Sequence, residues 1–142
     1  MRVLGIDWGN KRLGLAISDL SGTIANPLPF IARKGDVADI ARIGELIREY
    51  EVERIVVGIP LGQDGLPGEA ARAAQKFSAL LEEALNLPVD NIDERYSTHA
   101  AERTLLEADM SRSKRKGLRD GVAAAWFLQA YLDSKEKTGH ER

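Results

Sequence analysis

The chain has 142 residues, 44% of them hydrophobic and 30% charged, with a formal net charge of −2, the make-up of one globular domain with an ordinary core. It holds no cysteine and only two histidines, His99 and His140, which excludes disulfides, thiolate zinc sites, cysteine nucleophiles and three-histidine metal centres. No apolar run reaches the roughly 20 residues that cross a bilayer, and the first strand is expected to start at once, with no signal peptide visible. The expectation is therefore a protein of the reducing cytoplasm with no membrane partner.

Residues 2–8 and 12–19 read as a β-hairpin. Val3, Leu4 and Ile6 form an apolar run that stops at Asp7, Gly9 and Asn10 supply a turn, and Leu13, Leu15 and Ile17 alternate with smaller residues. A third strand is expected over residues 24–32, with Pro27 and Pro29 marking an edge. Asp36 is placed to cap a helix whose inner face carries Ile40, Ile43, Ile47 and Tyr50. Arg54–Gly58 reads as a buried strand, and residues 58–65, GIPLGQDG, as the loop leaving it. A long helix follows from Gly68 to Leu85, with Ala70, Ala73, Ala74, Phe77, Leu80, Leu81 and Ala84 facing inward. Val89–Asp93 is the last strand, and helices over 98–108 and 118–134 close the chain.

The order βββαβαβαα gives an α/β fold, a mixed sheet with helices on both faces. Residues 1–134 are expected to form a single domain and 135–142 a polar tail.

Three acids stand where an α/β sheet gathers its reactive groups, at strand ends and nearby helix starts. Asp7 ends the first strand, Asp93 and Glu94 end the last, and Asp120 opens the final helix. If the first and last strands are neighbours, Asp7 and Glu94 approach each other, and Asp120 comes over them. Local sequence does not choose between Asp93 and Glu94. Three carboxylates in one pocket repel unless cations lie among them. Oxygen donors suit hard divalent ions, Mg²⁺ or Mn²⁺. Two such ions about 4 Å apart can activate water and stabilise a leaving oxygen without any protein nucleophile. Each acid also has a structural reading: Asp7 as a turn former, Asp93 as a strand-end cap, Asp120 as a favourable charge early in a helix.

The sequence RSKRKGLR at 112–119 carries Arg112, Lys114, Arg115, Lys116 and Arg119 and no acid, while the rest of the chain stands at −7. A basic island on an acidic body is either a solvated loop or a phosphate contact. Lys11, Arg12 and Arg95 are weaker candidates for the same role. Trp8 reads as core or as a stacking platform, with partial burial expected, and Trp126 and Leu132 as core.

The stretch from Asp7 to Asp19, DWGNKRLGLAISD, resembles the opening motif of the YqgF (RuvX) family. Residues 58–65 resemble its second motif. Asp93-Glu94-Arg95 with Ser97-Thr98 and Ala101-Glu102 resembles the third. Lys114-Arg115-Lys116 with Asp120, Ala123-Ala124, Leu128-Gln129 and Tyr131-Leu132-Asp133 resembles the last. The resemblance runs in order along nearly the whole chain. Trp8 stands where another aromatic, often tyrosine, is usual, Gly62-Gln63 replaces an Asn-Met-like pair, and Ser97 stands for threonine.

The resemblance implies an RNase H-like fold and divalent-metal-dependent phosphodiester hydrolysis. The expected role is 5′-end maturation of pre-16S ribosomal RNA. It also implies Asp7, Glu94 and Asp120 as catalytic metal ligands. The partner would be nucleic acid: structured or precursor RNA, or branched DNA. The alternatives are a Holliday junction resolvase, which needs a two-fold dimer, and a non-catalytic RNA-binding assembly factor. Monomer and homodimer both remain open. A nucleotide-clasping ATPase or sugar kinase shares the opening hairpin but needs two lobes, and this chain holds one.

Overall fold

The computed structural model describes residues 1–60, 68–93 and 112–138, the last segment by its backbone alone at residues 112–120 and 135–138. The strands are β1 (Val3–Asp7), β2 (Arg12–Ser18), β3 (Ala25–Ala32), β4 (Arg54–Ile59) and β5 (Val89–Asp93). The helices are α1 (Asp36–Tyr50), α2 (Glu69–Leu85) and α3 (Arg112–Thr138). The strands form one mixed sheet in the order β3-β2-β1-β4-β5. The hairpin strands pair antiparallel, and β4 and β5 add in parallel on the other side of β1. No helix among the described residues is long and apolar enough to cross a membrane.

Strand alternation sorts the core into two layers. Leu4, Ile6, Trp8, Leu13, Leu15, Ile17, Ile55 and Val57 point to one face. There they meet Ile43 and Leu46 of α1 and Ala71, Ala74, Phe77 and Leu81 of α2. Val3, Ala16 and Val56 point to the other and meet Ala124, Phe127, Leu128 and Leu132 of α3. Full burial of each such aliphatic side chain is worth about 1.5–3 kcal/mol, so both layers contribute to holding the sheet.

The second layer is thin because β1 offers glycine where the helix crosses it. A Cβ on Gly5 would lie 3.1 Å from Leu128 Cβ and 3.5 Å from the Ala124 carbonyl oxygen. Further toward its N-terminus, α3 makes an equally close approach. A Cβ on Gly121 would stand 3.1 Å from the Leu28 carbonyl and 3.5 Å from that of Leu15. Gln129 then ties the helix to the entry of β3. Its Oε1 accepts from the Ala25 N–H at 2.9 Å, and its Nε2 donates to the Thr23 carbonyl at 2.8 Å. At the opposite sheet edge Asp90 accepts from Arg54 Nη1 at 2.8 Å and from the Tyr131 hydroxyl, joining β4, β5 and α3. Burial, followed by that bond to Asp90, pushes the Tyr131 hydroxyl up to about 12.

Several expectations change. The adjacency of the first and last strands, the condition for Asp7 and Glu94 to approach as direct neighbours, is not met: β4 lies between β1 and β5. The final helix begins at Arg112, not at 118, so the basic island is helical rather than a joining loop, and Asp120 lies in its third turn. Gly117 alone does not stop a helix whose neighbours, Lys and Arg, are good helix formers. Asp36 does not cap α1. Gly35 occupies the cap position without a side-chain bond, and Asp36 is the first helical residue. On α2 the inner stripe is rotated: Ala70 and Ala84 are exposed, whereas Ala71 and Ser78 are buried. Alanine is neutral enough to sit on either face, so its pattern misplaces the stripe. Trp126 is 38% exposed rather than core, and Trp8 is 9% exposed, deeper than expected. The helix expected over 98–108 lies outside the described residues.

Gly5→Val should lower stability by about 1–3 kcal/mol, because the added methyl groups must displace α3 from β1. Urea unfolding followed by far-UV circular dichroism measures this.

Candidate active site

β1 delivers Asp7 at its last position. Alternation puts Asp7 on the side of Val3 and Gly5, beneath α3. Across the sheet Asp7 stands level with Gly14 of β2 and with Gly58 of β4. Neither sheet neighbour has a side chain, so the carboxylate is the sole side chain contributed by those three strands at that level. A shallow cavity of about 400 Å³ opens there, lined by Asp7, Trp8, Gly9, Asn10, Lys11 and Arg12. A larger groove of about 900 Å³ lies between β3 and α1, lined by Leu28, Ile31, Ala41, Arg42 and Glu45 among others. It holds none of the expected acids, so size alone does not mark the site.

The backbone of α3 brings Asp120 toward the same end. Ala124 and Leu128 sit over Gly5, while Gly121 has advanced to Leu15, one rung nearer Asp7. Asp120 shares the helical row of Ala124 and Leu128 at a spacing of four residues, one turn further along that path. On β5, Asp90 bonds Tyr131 of α3 and Ile92 packs in the α3 layer. Asn91 instead accepts from Ser78 of α2 at 2.7 Å. Asp93 therefore falls with Asn91 on the α2 face, opposite to Asp7. Glu94 and Arg95 lie outside the described residues, as do the side chains of Arg112, Lys114, Arg115, Lys116, Arg119 and Asp120. Among the described residues no three metal-ligating side chains come together. Lys11 is exposed at the turn and Arg12 half-buried, its guanidinium 5.2 Å above the Phe30 ring.

A residue that sequence reasoning missed holds this turn from behind. Arg33 follows β3, and its side chain is 12% exposed. Its Nη1 donates to the Gly9 carbonyl at 3.0 Å. Nε and Nη2 reach Asp39 and Asp36, each at 2.6 Å. Its guanidinium lies 5.2 Å from the Trp8 ring and 5.4 Å from Phe77, and the Arg33 backbone N–H donates to the Lys11 carbonyl. Asp39 is buried and also accepts from the Lys34 N–H at 3.0 Å. The start of α1 is thus anchored to the turn that carries Asp7, and Trp8 serves as support, not as an exposed stacking platform. Gly9 completes the turn, since a Cβ there would lie 2.7 Å from the Arg12 carbonyl oxygen. No local signal marks Arg33, which in sequence is one charge in a strand-to-helix link.

At the far end of the hairpin, Asp19 accepts from Ser21 Oγ and from the N–H groups of Thr23 and Ile24. These bonds, the Ser21 hydroxyl first, lower its carboxyl from 3.8 to about 2. The stabilisation is present above the ordinary value and fades as pH falls toward 2.

The mixed sheet with a helix crossing above the end of its first strand is similar in fold to RuvC-type structures. Thermus thermophilus RuvC, solved in complex with a Holliday junction substrate, superposes with a TM-score of 0.64 over 97% of each chain at 19% identity. The fowlpox virus Holliday junction resolvase superposes with a TM-score of 0.57 at 17% identity, over 94% of this chain and 99% of that one. Residues 1–134 match the model of the RuvX family, described as Holliday junction resolvase, and the chain belongs to that family. Relatives named "Putative pre-16S rRNA nuclease" include that of Syntrophomonas wolfei, 49% identical and covering 94% of each chain. That of Geobacillus sp. is 49% identical over 96% of this chain and all of its own. That of Heliobacterium modesticaldum is 46% identical over 95% of this chain and 91% of its own.

Asp39→Asn should destabilise the fold by about 3 kcal/mol, because it removes one partner of a buried ion pair and leaves Arg33 short of charge. Urea unfolding should show the loss, with a smaller loss for the half-exposed Asp36→Asn.

Proposed function

We propose that this protein is a divalent-metal-dependent nuclease that hydrolyses phosphodiester bonds of precursor RNA, in 5′-end maturation of pre-16S ribosomal RNA. The observation that carries this reading is Asp7, set level with Gly14 and Gly58 beneath α3, with Asp120 one turn beyond Ala124. The names of the relatives support an rRNA-processing nuclease.

In this reading Asp7, Glu94 and Asp120 hold two Mg²⁺ or Mn²⁺ ions. The placement of Asp93 on the α2 face supports Glu94 as the acid at that position. β4 separates β5 from β1, and strand spacing puts their backbones about 10 Å apart. Gly58, with no side chain, leaves the carboxylates room to meet over it. The donor set is all oxygen, which suits such hard ions. When bound, they activate water and offset charge on the leaving oxygen.

The remaining steps fall to the chain itself. Asp7 fixes one end of the site because Arg33 locks the turn that follows it. The first two turns of α3 carry five cations and no acid in the first turn. Cations at a helix N-terminus oppose the helix dipole. A phosphate backbone lying there would offset both the side chains and the dipole. Lys11, Arg12 and Arg95 would add contacts on either side of the acids.

The family description favours a second reading, a resolvase acting as a homodimer on branched DNA. Both are decided by incubating the protein with Mn²⁺ and precursor RNA, single-stranded DNA or four-way junctions. Cleavage of precursor RNA by a monomer is the expected result. Symmetric junction cleavage by a dimer would support the resolvase instead. Binding of RNA with no cleavage and no Mn²⁺-induced rise in melting temperature would leave a non-catalytic assembly factor.

Asp7→Asn should abolish cleavage while retaining the fold and most RNA affinity; full activity in that variant overturns the assignment. Neutralising Lys114, Arg115 and Lys116 together should weaken binding and reduce the slope of log affinity against log salt by about 0.7–0.9 for each phosphate no longer neutralised. Filter binding across a salt series measures the slope.

A further inference from the structure

We infer that Phe30, with Arg12, forms a stacking subsite for an unpaired base next to the bond held at Asp7. This deepens the nuclease reading and rests on it for the location of the reacting phosphate. Three observations meet here. β3 carries a bulge: Leu13 pairs with Ile31 and Leu15 with Leu28, so Pro29 and Phe30 together oppose Gly14. The bulge reverses the alternation of β3. Pro27, opposite Ala16, lies on the α3 face, and without the bulge Ile31 would follow it there. Instead Ile31 packs with the α1–α2 layer, and alternation from Ile31 puts the Phe30 side chain on the Asp7 face, at a sheet edge where Phe30 also borders the groove between β3 and α1.

The second observation is the row itself. Asp7 is level with Gly14, and the bulge sets Pro29 and Phe30 across from Gly14, so the backbones of Asp7 and Phe30 are two strand spacings apart, about 10 Å, with the side-chain-free Gly14 between them. The third is the ring's environment. Phe30 is 40% exposed, and the Arg12 guanidinium sits 5.2 Å from its centroid. An exposed aromatic beside an arginine, on the face of a phosphate-cleaving site, matches the way single strands are held, by stacking plus a cation. A base inside a duplex has both faces covered and cannot use it. The ligand class is therefore a single-stranded or splayed nucleotide, and the subsite would favour cleavage beside unpaired positions.

The test is binding without catalysis. A fluorescent single strand of about 12 nucleotides and a blunt duplex of the same sequence are titrated by anisotropy in EDTA, using the full chain. A second single strand carries 2-aminopurine, whose emission falls on stacking. Phe30→Ala should weaken single-strand binding about tenfold and remove the quench, with duplex affinity unchanged, and Phe30→Tyr should restore both. Phe30→Leu keeps apolar bulk at the edge and should behave like Phe30→Ala, which separates loss of the ring from loss of packing. Equal losses on both probes, no loss on either, or wild-type protein that binds neither overturns the inference. Quenching that persists when Mn²⁺ supports no cleavage would count against the nuclease reading and not against the subsite.

Discussion

The architecture depends on how closely α3 can lie on the first two strands. Gly5 and Ala16 present almost no side chain to the helix, and Ala124 and Leu128 fill the shallow gap. Gly121 repeats the device where the helix passes toward β3. A larger residue at any of these positions would lift the helix and tilt its N-terminal half. That half carries Asp120 and the basic island, so their placement relative to Asp7 follows from the close packing.

The two faces of the sheet divide the work. The α1–α2 face is a thick apolar layer with one charged knot, Arg33 between Asp36, Asp39 and the Gly9 carbonyl. A buried ion pair is a poor source of stability in itself. Its value here is positional, because it couples the first turn of α1 to the loop behind the end of β1. The α3 face is thin, and its side chains end early, at glycine, along the level of Asp7. Packing on one side thus holds rigid what the other side leaves bare.

Much of this is legible in the sequence. The acid-ended strand, the hairpin, the edge character of β3 and the parallel additions follow from period-two alternation and turn residues that act locally. The differences fall where local signals are weak. Alanine does not report which way it faces, so Phe77 and Leu81 set the stripe of α2, and Ala70 and Ala84 do not. Basic residues look like a loop yet propagate a helix, so the island is part of α3.

Sequence alone determined the five strands and their order, the absence of any thiolate ligand or nucleophile in a chain without cysteine, and membership of the RuvX family through motifs in sequence order. Tertiary structure decided the rest: that β4 stands between β1 and β5, that Asp93 falls on the face away from Asp7, that Arg33 braces the turn, and that a bulge brings Phe30 into the row of Asp7. The physical reason is range. Alternation and turn chemistry act over a few residues, whereas strand order, helix register and the parity of a bulged strand are set by contacts between segments far apart in the chain.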